Sequence, residues 1–154
     1  MSRQIYPSDL TDGEWPVLQP LVSAPKLGGR PSKYPRREII NAIRYVARTG
    51  CAWRLLAHDL PPWQLAYHYF WVWRRDGTWQ QIHDSLHLRI RQAQGREPIP
   101  SAAIIEVLRL KDEDHGKEGP RGYDAGKKVK GRKRHIVVDT QGLLLDVAVH
   151  PADI

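Results

Sequence analysis

Apolar residues along this chain recur first at helical and later at strand spacing. Thr11-Asp12-Gly13-Glu14 has the spacing of a capping box, a hydroxyl with a carboxylate three residues on. It predicts a short helix with Trp15, Leu18 and Leu21 on one side and Pro16 tolerated in its first turn. Residues 23–34, rich in Pro and Gly, read as a loop. Pro35 then sits where it would start a helix, and Ile39, Ile40, Ile43, Val46 and Ala47 recur at helical spacing up to a stop at Gly50. Arg37, Arg44 and Arg48 fall on the opposite face.

A short helix is expected around Trp53–Ala57, broken by Asp59-Leu60-Pro61-Pro62. Pro62 can open a further helix to about Asp76, with Ala66, Tyr69, Phe70 and Trp73 forming one apolar stripe. Gly77 would end it, and Thr78 would cap another helix through about Gln94 with Ile82, Leu86 and Ile90 inward. Beyond Gly95 the pattern changes. The run from Ser101 to Leu110 suits a buried strand, though its period alone leaves a helix open. Residues 111–122 read as irregular, and 133–139 with 143–150 read as a hairpin around Thr140-Gln141-Gly142. The expected fold class is α+β: an all-helical unit over residues 1–96, then a strand-rich unit over 97–154.

Within the first unit, Trp53–Ala57, the turn through Pro62 and the helix after it are spaced like a helix-turn-helix. Such a motif lays its second helix in the DNA major groove and reads bases with that helix's first residues. Gln64 and His68 have the chemistry to read base edges, and Tyr67, Arg74 and Arg75 suit phosphate or sugar. The same pattern also describes a plain helical bundle.

Charge favours the nucleic-acid reading. The formal net charge is +7, and it is unevenly spread. Residues 1–98 hold 14 Lys+Arg against 8 Asp+Glu, residues 99–120 hold 3 against 5, and residues 121–154 hold 7 against 4. Lys127, Lys128, Lys130, Arg132, Lys133 and Arg134 are six cations within eight residues. Framed by glycines, they read as a flexible loop able to follow a phosphate backbone, or as a solvated turn. Cys51 is the one cysteine, which excludes an internal disulfide and a cysteine-based zinc cluster. With no apolar run of membrane length and no apolar core near Met1, the chain reads as cytoplasmic.

Carboxylates are the remaining candidates for chemistry, because nucleases of the two-metal type hold hard divalent ions with converging acids. Glu106 lies inside the apolar run, Asp139 and Asp146 flank the hairpin turn, and Asp124 precedes the cationic cluster.

Several blocks resemble one known family. They include Asp9-Leu10-Thr11-Asp12, Gly29-Arg30-Pro31, Thr49-Gly50-Cys51-Ala52-Trp53-Arg54 and Pro61-Pro62-Trp63-Gln64. Trp73-Arg74-Arg75-Asp76-Gly77-Thr78-Trp79, Ser101-Ala-Ala-Ile-Ile105 and the run from Gly119 to His135 continue the series. Together they resemble the DDE transposases of the insertion-sequence group four/five. The resemblance implies a helical DNA-binding domain joined to an RNase H-like nuclease that cuts and joins transposon ends with Asp, Asp, Glu and Mg²⁺. The family's first Asp follows Ser-Ala-Ala-Ile-Ile directly, so the resemblance gives Glu106 as the catalytic and metal-binding position. An added methylene displaces that carboxylate by about 1 Å, enough to cost roughly a hundredfold in a positioned reaction. The other two acids belong to motifs that these 154 residues do not contain.

What the resemblance implies is therefore a truncated transposase: a DNA-binding fragment without its own catalysis and without tightly held Mg²⁺. Its partners would be transposon-end DNA and, through assembly, full-length transposase or a second copy. A regulatory protein that competes with the full enzyme, and a non-functional remnant, are the alternatives.

Overall fold

Two prolines set where the long helices begin. Pro35 and Pro62 both have the φ that proline fixes and an extended ψ, and the carbonyl of each accepts the first helical hydrogen bonds of the segment after it. In the computed structural model, which describes residues 3–22, 33–111, 122–126 and 128–153, these helices are α2 (Arg36–Thr49) and α3 (Trp63–Arg75). A short α1 (Trp15–Leu18) precedes them and α4 (Thr78–Ala93) follows. Four strands come next: β1 (Ala103–Lys111), β2 (Gly122–Asp124), β3 (Val129–Asp139) and β4 (Leu144–Pro151). The architecture is α+β. Most of the loops expected at 23–34 and 111–122, and Lys127, lie outside the described residues.

By its internal contacts the chain forms two compact units, Met1–Leu86 and His87–Ile154, so the division falls inside α4. No helix among the described residues is long and apolar enough to cross a membrane.

In the helical unit the capping box is present. Thr11 N–H donates to Glu14 Oε2 at 2.7 Å, and Glu14 N–H donates to Thr11 Oγ1 at 3.2 Å. α2 buries Ile39, Ile40, Ala42 and Ile43, each large aliphatic contributing about 1.5–3 kcal/mol. It stops at Gly50, whose φ of 68° is the left-handed conformation of a helix C-terminus. Arg37, Asn41 and Arg44 hold the N-terminal strap to α2: Leu10 N–H donates to Asn41 Oδ1, and the arginines donate to the carbonyls of Leu10 and Ser8. These two arginines are therefore structural clamps. α3 turns Ala66 and Trp73 fully inward, with Tyr69 and Phe70 packed on the same core.

Two sequence expectations need correction here. The helix expected over Trp53–Ala57 is a single 3-10 turn, Trp53–Leu55, because the chain must become extended at Leu56 to bury both Leu56 and Leu60. Of the three apolar residues expected inward on α4, Ile82 is buried, whereas Leu86 and Ile90 are exposed. The later half of this helix instead buries Arg91, whose guanidinium meets the fully buried Asp139.

In the second unit β3 is central. β1 pairs antiparallel with one side of it, while β2 and β4 each pair antiparallel with it as well. The run that sequence left open between helix and strand is a strand, and the hairpin lies where expected. β3, however, starts at Val129, so most of the cationic cluster is strand where a flexible loop was expected. β2 packs closely on the turn after β4: a Cβ at Gly122 would lie 2.6 Å from the backbone nitrogen of Asp153, so only glycine fits. The hairpin turn is organised by Asp139, whose Oδ1 accepts N–H groups of Gln141 at 2.8 Å and Leu143 at 3.0 Å. Burial would raise the pKa of this carboxylate, but the two amides and Arg91 outweigh it and hold it below the ordinary range.

Candidate nucleic-acid interface

Because α3 commits one stripe to the core, its other face is left to solvent. Gln64, Tyr67, His68, Trp71, Arg74 and Arg75 are all exposed, and their spacing places them along that one face. Tyr67 is steadied edge-on by Trp53 with ring centroids 5.3 Å apart, and Arg75 lies over the Trp71 ring at 4.5 Å. Sequence reasoning gave Trp71 no role. The signal was available, since Trp71 falls off the stripe of Ala66, Tyr69, Phe70 and Trp73, and the structure leaves it 46% exposed.

The face has the chemistry of a DNA-reading helix. An amide and an imidazole sit in its first two turns, able to pair with base edges, and two guanidiniums sit at its end. Both α2 and the 3-10 turn pack against α3.

Lys128, in a turn with φ of 55°, leads into β3, which carries Lys130, Arg132, Lys133 and Arg134. Lys133 is partly buried and pairs with Asp124 at 3.8 Å.

Among the described residues the candidate carboxylates do not converge. Glu106 is exposed in the middle of β1, opposite Ile136 of β3. Register places Asp124, Asp139 and Asp146 opposite Val129, Ala103 and Val137, which is the other face of the sheet. Each also has local partners: Asp124 the ammonium of Lys133, Asp139 Arg91 and the turn amides, and Asp146 the N–H of Val147. His83 and His87 lie one turn apart on α4, yet among the described residues no three His, Cys, Asp or Glu side chains gather as a metal site would require.

Comparison with protein families accounts for both units. Residues 10–83 match the family described as "Putative transposase of IS4/5 family", and residues 76–154 match the transposase DDE domain. The second match covers more than half of the chain. The chain belongs to the DDE transposase family. No curated protein and no solved structure matches it.

For a transposase-family chain of this kind the α+β order has a direct meaning, an RNase H-like sheet begun by β1, β3 and β4 after a helical region. The divalent metal of the DDE family can also be tested against the residues present. Among the described strand residues Glu106 is the one acid on its face of the sheet, and Asp124, Asp139 and Asp146 lie on the other. The described residues do not fit a two-metal centre.

Proposed function

We propose that these 154 residues act in insertion-sequence transposition by binding DNA at transposon ends, and that by themselves they carry no strand-cleavage chemistry. The observation that carries this reading is the exposed face of α3, with Gln64 and His68 near its start and Arg74 and Arg75 at its end. The DNA-binding unit corresponds to residues 1–96, and residues 97–154 contribute the first strands of the nuclease domain. Gln64 and His68 contact base edges in the major groove, where an amide discriminates adenine by about 1–3 kcal/mol. Tyr67, Arg74 and Arg75 fix the register of the helix on the phosphates. Lys128, Lys130, Arg132, Lys133 and Arg134 form a second cationic region, and the adjoining Lys127 belongs to it by sequence.

The lone position of Glu106 supports the second half of the proposal. Its exposed carboxylate occupies the place of the family's first acid, and no described acid shares its face closely enough to assist it.

The test is direct binding of the purified chain to DNA from the element's terminus and to a scrambled duplex of the same composition. Preference for the terminal sequence, persisting at physiological salt, is the expected result. Equal affinity for the two duplexes would overturn the assignment to transposon ends.

A further inference from the structure

The segment that leads into α3 is held from outside as well as from within. Leu60 and Pro61 are buried, and the rings of Pro61 and Pro62 fix two successive φ angles, so little freedom separates Asp59 from the start of α3 at Trp63. Asp59 itself is exposed, yet both of its carboxylate oxygens are engaged. Tyr6 Oη donates to Oδ1 at 2.7 Å, and the Gln4 N–H donates to Oδ2 at 2.9 Å. These hydrogen bonds, that of the Tyr6 hydroxyl foremost, hold the Asp59 carboxyl below its ordinary pKa.

Tyr6 and Gln4 belong to the N-terminal strap, which is anchored on α2. The Arg3 guanidinium donates to both oxygens of Asp9, at 2.8 and 2.7 Å, and forms an ion pair with Glu38 of α2 at 2.7 Å. Asp9 Oδ2 also accepts the Tyr6 N–H at 2.9 Å, which folds the strap back on itself. The Tyr6 ring packs edge-on against Tyr45 of α2 with centroids 4.9 Å apart. The strap thus ties α2 to the turn ahead of α3, through partners 53 and 55 positions apart in the chain.

We propose that Asp59 is a positioning residue for the DNA-reading helix: by receiving the Tyr6 hydroxyl and the Gln4 amide it lets the strap fix the turn ahead of α3, and with it the aim of Gln64 and His68. Hydrogen bonds to base edges weaken steeply when a donor is displaced or tilted, whereas long arginine side chains can follow phosphates as a helix shifts. Loss of the link therefore acts on the discrimination between sequences before it acts on affinity. A carboxylate is otherwise an unfavourable group at this place, because it precedes Gln64 by five residues and repels phosphate. The role rests on the DNA-binding reading above and adds to it the residue that sets its geometry.

The experiment measures the ratio of affinities of the full chain for terminal and scrambled duplexes, well below Tm, in wild type, Tyr6→Phe, Asp59→Ala and Asp59→Asn. Tyr6→Phe keeps the ring against Tyr45 and loses only the hydroxyl. Asp59→Asn keeps an oxygen for the Gln4 N–H and turns an amide donor toward the Tyr6 oxygen, so it preserves the link without the charge. Tyr6→Phe and Asp59→Ala should each lower the ratio about 5-fold, the lower end of the worth of one bidentate base contact. The two changes combined should lower it no further than Asp59→Ala alone, because they break one link. Asp59→Asn should keep the wild-type ratio. A link that served stability alone would lower Tm and weaken binding to both duplexes alike, leaving every ratio in place. Wild-type ratios in Tyr6→Phe and Asp59→Ala, or a fall in Asp59→Asn equal to that in Asp59→Ala, would overturn the positioning role and leave the reading of terminal DNA standing. A wild-type chain without preference for terminal DNA would remove both proposals.

Discussion

Trp71 and Trp73 are two residues apart on α3, and the structure assigns them opposite consequences when removed. Trp73 is 1% exposed, tilted against Tyr69 at 5.3 Å and edge-on to Trp79 at 5.5 Å. Trp79 is itself tied by its indole N–H to the Phe70 carbonyl at 3.1 Å, so the neighbours cannot collapse freely into the space left. Trp73→Ala should cost about 3–5 kcal/mol, the usual range for emptying a buried aromatic site. A domain of this size has about 5–15 kcal/mol in total. At about 4–8 °C per kcal/mol, Tm should fall by at least about 12 °C. Trp71→Ala loses mainly the stacking of Arg75 over an exposed ring, worth about 0.5–1 kcal/mol. The assay is thermal unfolding followed by tryptophan fluorescence, which reports the helical unit alone because all six tryptophans lie between Trp15 and Trp79. Equal shifts for the two variants would refute the division of α3 into a core stripe and an outer face.

Asn41→Ala should strand the Leu10 N–H and cost about 1–3 kcal/mol, with faster hydrogen exchange at that amide. Acid should destabilise the helical unit in a defined window. Burial alone would raise the pKa of Asp9, but hydrogen bonds from Arg3 and the Tyr6 amide hold it below the ordinary value, and Glu14 and Asp59 are lowered too. A depressed folded pKa means the unfolded chain binds more protons, so stability is full above about pH 5 and falls as pH drops through the carboxylate range near 4. Fluorescence-monitored melts from pH 7 to 3 check this, and a stability that rose on acidification would contradict it. Incubated with labelled terminal DNA and Mg²⁺ or Mn²⁺, the chain should give no specific nicks, even as Glu106→Asp. Specific nicks lost in Glu106→Ala would show that these residues form an enzyme.

Much of the helical unit was legible because local chemistry and global packing agree there. The capping box at Thr11, the proline starts at Pro35 and Pro62, the glycine stop at Gly50 and the stripe from Ala66 to Trp73 each depend on residues within one or two turns. α4 was misread for the opposite reason. Ile82, Leu86 and Ile90 have an ordinary helical period, but the later half of the helix is oriented by Arg91 meeting Asp139, a partner 48 residues away that no local pattern reports. β3 was begun four residues late because Lys and Arg have weak strand propensity, which pairing with β1 and β2 overrides. That error concealed the two faces of the cationic cluster, and with them the separation of Glu106 from the remaining acids. Glu106 stood out in the sequence by its place inside an apolar run, and only the resemblance gave it a role.

The central claim is that α3 reads transposon-end DNA with its first two turns and holds the backbone with its last. It is tested most directly by the ratio of affinities for terminal and scrambled duplexes, measured for wild type, Gln64→Ala with His68→Ala, and Arg74→Ala with Arg75→Ala. The first pair should lower the ratio by about 5- to 150-fold, the equivalent of one bidentate base contact, while affinity for scrambled DNA stays nearly constant. The second pair should weaken binding to both duplexes alike and leave the ratio in place. A ratio unaffected by Gln64→Ala with His68→Ala would contradict the account and place the reading of DNA elsewhere on the chain.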